Sequence, residues 1–453
     1  KVEIAIGDNL LDQVIEAIDA ALSRNTYAWH DTDGTHDGAA SDYEWHNTSD
    51  DRTDHGGDWE SDDSDDDFHF ESDLDWGTDY DWSWRGPRRT YGSDLHDALF
   101  WREPLIEQGL PVRYNRVEGF YLGLRTSGLD LDRRTPARGV GEIGYAFGLK
   151  RVRYQIGAEA RVTPRGPFAT LVGLRYGQQQ ATYDRWKVDP VENALAAGFV
   201  RNDFYDYYEA QGWNAYTKVR LSSLGEIGVG YRSEDYSSLR NEVSWSLFGG
   251  SDFRDNPIFD SGRAQRIVAS ATLGRVQGIE TLPAGAAFQT EAEFGDGLGG
   301  DFAYTRLTAD GRVYIRPDPG LAFSLRLRAT HASGDRIPVQ ALPSIGGLGS
   351  VRAYPQNAFA GRTAIVANAE IAVAKFQLFD DVTDDLFVIG FADAGRVDDA
   401  QAGFSQDTPD WIGAAGVALG LDDRAIRLEL AWPLSDAGYG TSPTLWLRIL
   451  PTF

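Results

Sequence analysis

Apolar and polar residues alternate along the chain from about residue 112 to its end, in segments that turn residues separate. In the segment LAFSLRLRAT, Leu321, Phe323 and Leu325 occupy one set of alternate positions, while Ser324 and Arg326 occupy the other. A period of two places these sets on opposite faces of a β-strand. Segments of this kind predict about fifteen strands and an all-β fold.

The polar faces of these strands carry charged side chains in strand after strand, and aromatic residues recur near the strand ends. A soluble β-sandwich also alternates, but such charged faces are typical of a water-filled barrel, and aromatic ends are typical of a membrane interface. Connections such as 163–166 and 222–225 are short, whereas 183–210 and 332–361 are long. The pattern therefore predicts a transmembrane antiparallel β-barrel over residues 91–453.

The number of strands in this barrel should be even, as in single-chain bacterial barrels. We therefore predict sixteen strands, one of which is missing from the count. Residues 68–84 are the candidate for it, because large apolar side chains stand at even positions there with Asp between them.

The N-terminal ninety residues differ in charge from the rest of the chain. Residues 1–90 hold 25 Asp and Glu against 6 Lys and Arg, whereas the remainder holds 44 against 37. Residues 1–25 predict a short strand and one amphipathic helix, located in the periplasm or as a plug. Residues 26–90 form an acidic segment, partly strand, rich in Asp, His and Trp. Because a phosphate backbone requires basic surface, nucleic acid is not an expected partner.

Five of the seven histidines lie in this acidic segment. Clustered His and Asp can bind a divalent cation, although the spacing here fits no tight ligand motif. A solvated run of charge, or a docking site for a basic partner anchored by Trp, explains the segment equally well. The weak metal candidates are His30, His36, His46, His55 and His69.

The chain contains no Cys and no Met. Disulfides and thiolate metal sites are therefore excluded, and the missing initiator predicts a mature chain whose signal peptide has been removed. No run of 18 apolar residues is present, so no transmembrane helix is predicted. No nucleophile, base and acid fall in a catalytic pattern, so the sequence predicts no enzyme and no cofactor.

A Gly-rich loop, GLGSVRAYP (residues 347–355), places Arg352 shortly before a strand. The alternation of that strand turns Glu370 toward the barrel interior. In the next strand Asp393 should also face inward, because a carboxylate facing lipid is costly. If the loop folds back into the barrel, Arg352 reaches both carboxylates and forms charge-assisted hydrogen bonds. The sequence thus predicts that loop 332–361 is a lid held inside the lumen.

This loop, followed by AGRTAIVANAEI, by FADAG one strand later and by a terminal Phe, resembles the superfamily of BamA. That superfamily of outer-membrane assembly factors, or bacterial surface antigens, includes the two-partner-secretion transporters. In it, the arginine of a Val-Arg-Gly-Phe/Tyr loop motif is held in the lumen by a Phe-x-Asp-x-Gly strand motif. The resemblance implies that the motif residues and the C-terminal barrel signal are Val351, Arg352, Tyr354, Phe391, Asp393, Gly395 and Phe453. Ala353 replaces the glycine of the motif and would be strained if that position required a positive φ.

The resemblance implies translocation or insertion of polypeptide at the outer membrane through a loop-gated barrel. The expected partners are the lipid bilayer with lipopolysaccharide or an equivalent outer leaflet, a polypeptide substrate and envelope proteins. No POTRA domain is evident before the barrel, so an alternative is a non-enzymatic anchor or conduit subunit of a larger cell-envelope complex. A simple diffusion pore is a third interpretation, which a lumen filled by the lid loop disfavours.

Overall fold

The computed structural model describes most of the chain from residue 110 onward, and the structural statements below concern these residues. The described ranges are 90–91, 110–126, 137–163, 168–221, 224–249, 251–277, 283–318, 320–379, 382–400, 410–421 and 426–449. The helix predicted in residues 1–25, the strand predicted at 68–84, the five histidines of the acidic segment and Phe453 all lie outside them.

The described residues form an antiparallel β-fold with one α-helix, α1 (Pro190–Val200), and one 3₁₀ turn (Val339–Ala341). The strands are β1 (Thr90–Tyr91), β2 (Val112–Asn115), β3 (Gly119–Arg125), β4 (Ala137–Ala146), β5 (Arg151–Arg161), β6 (Phe168–Ala181), β7 (Tyr208–Leu221), β8 (Gly225–Ser238), β9 (Gly262–Gln277), β10 (Ala284–Phe294), β11 (Ala303–Asp318), β12 (Leu321–Arg336), β13 (Ser344–Ile345), β14 (Phe359–Phe379), β15 (Val382–Ala400), β16 (Ile412–Leu421), β17 (Ile426–Pro433) and β18 (Thr444–Ile449).

Seventeen of these strands belong to one antiparallel sheet. From β2 to β18 each strand pairs with the next, except that β12 pairs with β14 and the short β13 forms a separate pairing with β14. At the other end of the order β18 stands next to β2, and among the described residues no paired register joins the two. We call this junction the seam. The predicted all-β antiparallel fold is therefore confirmed, and its sixteen consecutive strands are β2–β12 and β14–β18.

Among the described residues the sixteenth strand arises from a hairpin, whereas residues 68–84, the predicted candidate, lie outside them. The first predicted strand, 112–126, divides into β2 and β3, which pair from Val112 opposite Leu122 to Asn115 opposite Gly119. The Asn115 side chain accepts hydrogen bonds from the backbone N–H groups of residues 117 and 118, at 3.1 and 2.8 Å. Such a turn, followed by Gly119 at φ 67°, reverses the chain where the alternation alone gives no signal.

The two faces of the sheet are inverted relative to a soluble protein. On β12 the side chains of Leu325 and Leu327 are 49% and 59% exposed, whereas Arg326 between them is 3% exposed. The apolar face thus points outward and the charged face points into the interior. This arrangement matches a strand that faces lipid on one side and a polar lumen on the other.

The three longest connections, residues 182–207, 239–261 and 337–358, follow β6, β8 and β12, so they lie at the same end of the sheet. The longest of them, residues 182–207, corresponds to the predicted long connection 183–210 and contains α1. The helix begins where the Asp189 carboxylate accepts the N–H of Val191 at 2.7 Å and Pro190 occupies the first turn. No described helix is long and apolar enough to cross a membrane.

Candidate functional site: a loop held inside the barrel

The loop between β12 and β14, residues 337–358, is largely buried, although loops normally lie at the surface. It is shorter than the predicted 332–361 because β12 continues to Arg336 and β14 begins at Phe359. Gly346, Gly347 and Gly349 have φ of 104°, 82° and 72°, which allows the chain to turn back on itself. The loop is therefore folded into the space that the strands enclose.

Arg352 occupies the centre of this loop and is 2% exposed. Its Nε and Nη2 donate to the two carboxylate oxygens of Asp393 on β15, both at 2.8 Å. Its backbone N–H also donates to Asp393, at 3.2 Å. Asn368 on β14 donates to the same carboxylate at 2.8 Å and to the Ser350 carbonyl of the loop at 2.7 Å. Asp393 thus fixes both the side chain and the backbone of the loop.

The remaining guanidinium nitrogen of Arg352 contacts two further carboxylates. Its Nη1 donates to Glu370 on β14 at 2.8 Å and to Glu429 on β17 at 3.3 Å. Arg427, also on β17, donates to Glu370 at 3.0 Å and lies 3.0 Å from Glu429. One loop arginine is therefore held by acids from three strands, and a second arginine neutralises two of those acids.

The electrostatics favour the charged form of this arginine. Burial alone would lower the pKa of Arg352, but the negative charges of Asp393, Glu429 and Glu370 outweigh it and keep the pKa well above its ordinary value. The guanidinium also stacks on the Phe391 ring, 3.6 Å from its centroid. A buried charge without such partners would destabilise the fold strongly.

Val351 and the motif glycine of β15 fit each other sterically. Val351 is fully buried, and a Cβ added to Gly395 would lie 2.7 Å from its Cγ2 and 2.8 Å from Cδ1 of Ile345. A Cβ at Gly416 would likewise lie 2.3 Å from the Phe391 ring. The two glycines thus leave the space that the loop and the aromatic ring fill.

Tyr354 connects the loop to the segment between β17 and β18. Its hydroxyl donates to the Ser435 carbonyl at 2.6 Å, and its ring packs edge-on against Phe359 at 5.6 Å. Ala353, which replaces the motif glycine, is not among the residues with positive φ. The substitution therefore introduces no backbone strain at that position.

A second polar cluster, which the sequence did not predict, joins this loop to residues 182–207. The Lys187 ammonium donates to Asp184 at 2.8 Å, to Ser344 at 3.0 Å and to the side-chain carbonyl of Asn357. The Asn357 amide in turn donates to Asp184 at 2.9 Å and to Asp206 at 2.7 Å. Burial lowers the pKa of Lys187 despite the charge of Asp184.

The structure brings all seven predicted residues of the loop and its partners into one place: Val351, Arg352, Tyr354, Glu370, Phe391, Asp393 and Gly395. Sequence reasoning missed Glu429 and Arg427, although their alternation on β17 already indicated that they face inward. Within the described ranges, no group of three or more His, Cys, Asp or Glu side chains is arranged to hold a metal ion. The histidine candidates lie elsewhere in the chain and remain a prediction.

The chemistry of the site is that of a multivalent ionic lock. The side-chain partners of Arg352 are acids and an aromatic ring. Its release would leave three strands with inward-facing carboxylates and one vacated apolar pocket. The arrangement can hold a loop in place and release it.

Two family comparisons match the chain. The Omp85 superfamily domain matches residues 192–444. The C-terminal domain of a family of unknown function, DUF5686, matches residues 94–267. No curated protein matches.

The chain is also similar to solved structures at low identity. It is 12% identical to BamA from Haemophilus ducreyi lacking POTRA domains 1–3, covering 74% of this chain and 69% of that one with a TM-score of 0.45. It is 11% identical to CdiB from Acinetobacter baumannii, covering 75% and 58% with a TM-score of 0.40. It is 11% identical to CdiB from Escherichia coli, covering 76% and 63% with a TM-score of 0.37. The chain thus spans less than two thirds of either CdiB.

Proposed function

This chain belongs to the Omp85 superfamily, and from that premise we propose that it inserts polypeptide into the outer membrane or moves it across. The gate in this proposal is the loop 337–358, which closes the barrel while Arg352 is bound. The protein acts as a conduit with polypeptide as its substrate and lipid as its surroundings. It has no catalytic role.

The contacts of Arg352 carry this proposal. A guanidinium that is 2% exposed and bound to three carboxylates holds the loop far more strongly than a surface ion pair would. Removing one partner of a buried ion pair costs about 3–5 kcal/mol, which is a factor of roughly 10²–10⁴ in an equilibrium. A closed gate of this strength opens when another group, such as an incoming chain, takes over the contacts.

Single-channel conductance in planar bilayers tests the gate. The parent chain should be nearly silent, and Arg352→Ala should open frequently because three carboxylates lose their shared cation. Arg352→Lys should open to an intermediate extent, since an ammonium cannot form the paired contact with Asp393. Arg396→Ala is the matched control, because Arg396 pairs with Asp398 at 2.8 Å on the same strand as Asp393 but is 37% exposed.

The outcome decides between the proposals. Openings in Arg352→Ala alone support a gate, whereas equal and steady conductance in all variants would mean that the loop closes nothing. A chain that stays silent in every variant would favour the second candidate, an anchor or conduit subunit of a larger envelope complex.

The cluster around Lys187 favours that second candidate, because it holds the loop to residues 182–207 through contacts that do not involve Arg352. Purification from native membranes distinguishes the two functions. A stoichiometric protein partner that survives detergent would support the subunit, and its absence together with gating would support the conduit.

A further inference from the structure

The helix α1 belongs to the connection between β6 and β7, yet it contacts strands at both sides of the seam. One of these is β18, the last strand of the sheet, and the other is β2, the first. These contacts come from opposite ends of the helix. Helix α1 therefore bridges the junction at which the sheet has no paired register among the described residues.

The N-terminal turn of α1 holds the last strand. Glu192, which is 3% exposed, accepts the backbone N–H of Ile449 at 3.1 Å. It also accepts from Nη2 and Nε of the Arg448 side chain at 3.2 and 3.3 Å. An edge strand presents unpaired N–H groups, and here a helix carboxylate accepts one N–H of β18. Glu192 thus caps the edge of β18.

The C-terminal turn of α1 contacts both the first strand, β2, and residues 241–248. A Cβ added to Gly198 would lie 3.6 Å from the Tyr114 ring on β2, so helix and strand are in close contact. The Tyr114 hydroxyl donates to the Trp245 carbonyl at 2.6 Å. The N–H of Leu247 donates to the Gly198 carbonyl at 2.8 Å, and the N–H of Glu242 donates to the carbonyl of the hairpin that follows β2 at 2.9 Å.

The helix is also connected to the Arg352 lock. Arg448 lies 3.7 Å from Glu429, which itself accepts from Arg352. On the same strand, Trp446 donates to the Arg352 carbonyl at 2.9 Å and packs edge-on against Phe204, 6.0 Å away. A displacement of either the loop or the helix therefore disturbs the groups that hold the other.

We propose that α1 and residues 241–248 form a seam strap, which closes the junction between β2 and β18 from inside the barrel and must leave before those strands separate. This inference rests on the proposed function, because it assigns a lateral route to the polypeptide that the gate admits. The strap closes the seam, and the loop closes the lumen. The shared contacts through Arg448 make opening of one favour opening of the other.

Hydrogen exchange of the β18 amides, followed by mass spectrometry on the full chain, tests the strap. Glu192→Ala should speed exchange at Ile449 and the preceding amides about tenfold, because a charged hydrogen bond and an ion pair are lost. Glu192→Gln should stay close to the parent at Ile449, since its amide oxygen still accepts that N–H. Glu226→Ala is the control: it removes a lumenal acid whose Lys218 contact is 3.9 Å.

A reversible cross-link gives a second readout. Because the sequence has no Cys, the pair Tyr114→Cys and Gly198→Cys can form only one disulfide, between strand and helix. Oxidation should slow exchange along β18 about tenfold, and reductant should reverse the effect. Equal exchange in the oxidised and reduced forms, or in Glu192→Ala and the parent, would overturn the strap.

These results are separable from the gate. Exchange at β18 does not require that the chain transports anything, whereas conductance of Arg352→Ala reports opening of the lumen. If Arg352→Ala opens the channel but Glu192→Ala leaves the exchange rate of the β18 amides unchanged, the strap is refuted and the proposed function stands. A change at β18 in a chain that never gates would refute the proposed function and retain the strap as a structural closure.

Discussion

The fit between Gly395 and the loop allows a quantitative prediction for Gly395→Ala. The added methyl would lie 2.7 Å from Cγ2 of Val351 and 2.8 Å from Cδ1 of Ile345. Both atoms belong to side chains without room to move, because both residues are at most 1% exposed. Overpacking of this kind costs ~1–3 kcal/mol. The loop should therefore leave the lumen about 5- to 150-fold more often.

The assay measures how often the loop leaves. Ser350→Cys places a thiol in a fully buried position of the loop, and the sequence supplies no other cysteine. Its rate of reaction with a water-soluble maleimide then reports the released state. Gly311→Ala is the matched control, because a Cβ on that β11 glycine would have no neighbour closer than 3.9 Å.

A rescue experiment tests the steric argument itself. In the Gly395→Ala background, Val351→Ala and Ile345→Val remove the two methyl groups that the new Cβ meets, so the labelling rate should fall back toward the parent. Equal labelling of the Gly395→Ala and Gly311→Ala chains would refute the reasoning. A rate that stays high after the rescue would show that the glycine serves another purpose than packing.

Three further predictions concern the polar groups of the lumen and the first hairpin. Asp393→Asn should raise maleimide labelling of the loop about tenfold or more, since Arg352 loses its paired carboxylate, and an unchanged rate would contradict the lock. Burial raises the pKa of the Asp184 carboxyl, but the charge of Lys187 outweighs burial, so the pKa is lowered from 3.8. The ionised Asp184 therefore stabilises the fold fully above pH 3.8, and this stabilisation is lost as the pH falls through the lowered pKa. The difference in melting temperature between the parent and Asp184→Asn should therefore shrink below pH 3.8, and a constant difference would contradict it. Asn115→Ala should destabilise the first hairpin by ~1 kcal/mol, visible as faster exchange of the β3 amides relative to β4.

Much of the lock was accessible from the sequence because a strand has a strict period of two. Once lipid-facing side chains must be apolar, the inward direction of Glu370 and Asp393 follows from parity alone. Arg352 reaches both carboxylates if the loop folds back, and the resemblance assigns Arg352 and Asp393 to paired motifs. The same parity also placed Glu429 inward, but nothing in the sequence indicates that it lies within reach of a loop 77 residues earlier.

The structure decided features in which local signals compete with periodicity. The turn at Asn115 divides one alternating run into two strands, since a side-chain hydrogen bond reverses the chain without interrupting the pattern. Helix α1 has its own start signal in Asp189 and Pro190, yet the alternation on either side of it masks a short helix inside a long connection. Local side-chain signals specify such elements, but a count of alternating segments does not detect them.

The sequence by itself determined the fold class, the direction that each strand face takes and the residues of the loop motif, because these depend on residues close together in the chain. Only the tertiary structure decided which distant groups meet. Glu192 and Arg448 stand 256 positions apart and touch because the order of the sheet brings its last strand beside its first. Contacts across the lumen depend on the curvature of the sheet and the path of the loops, and neither is encoded in any single segment.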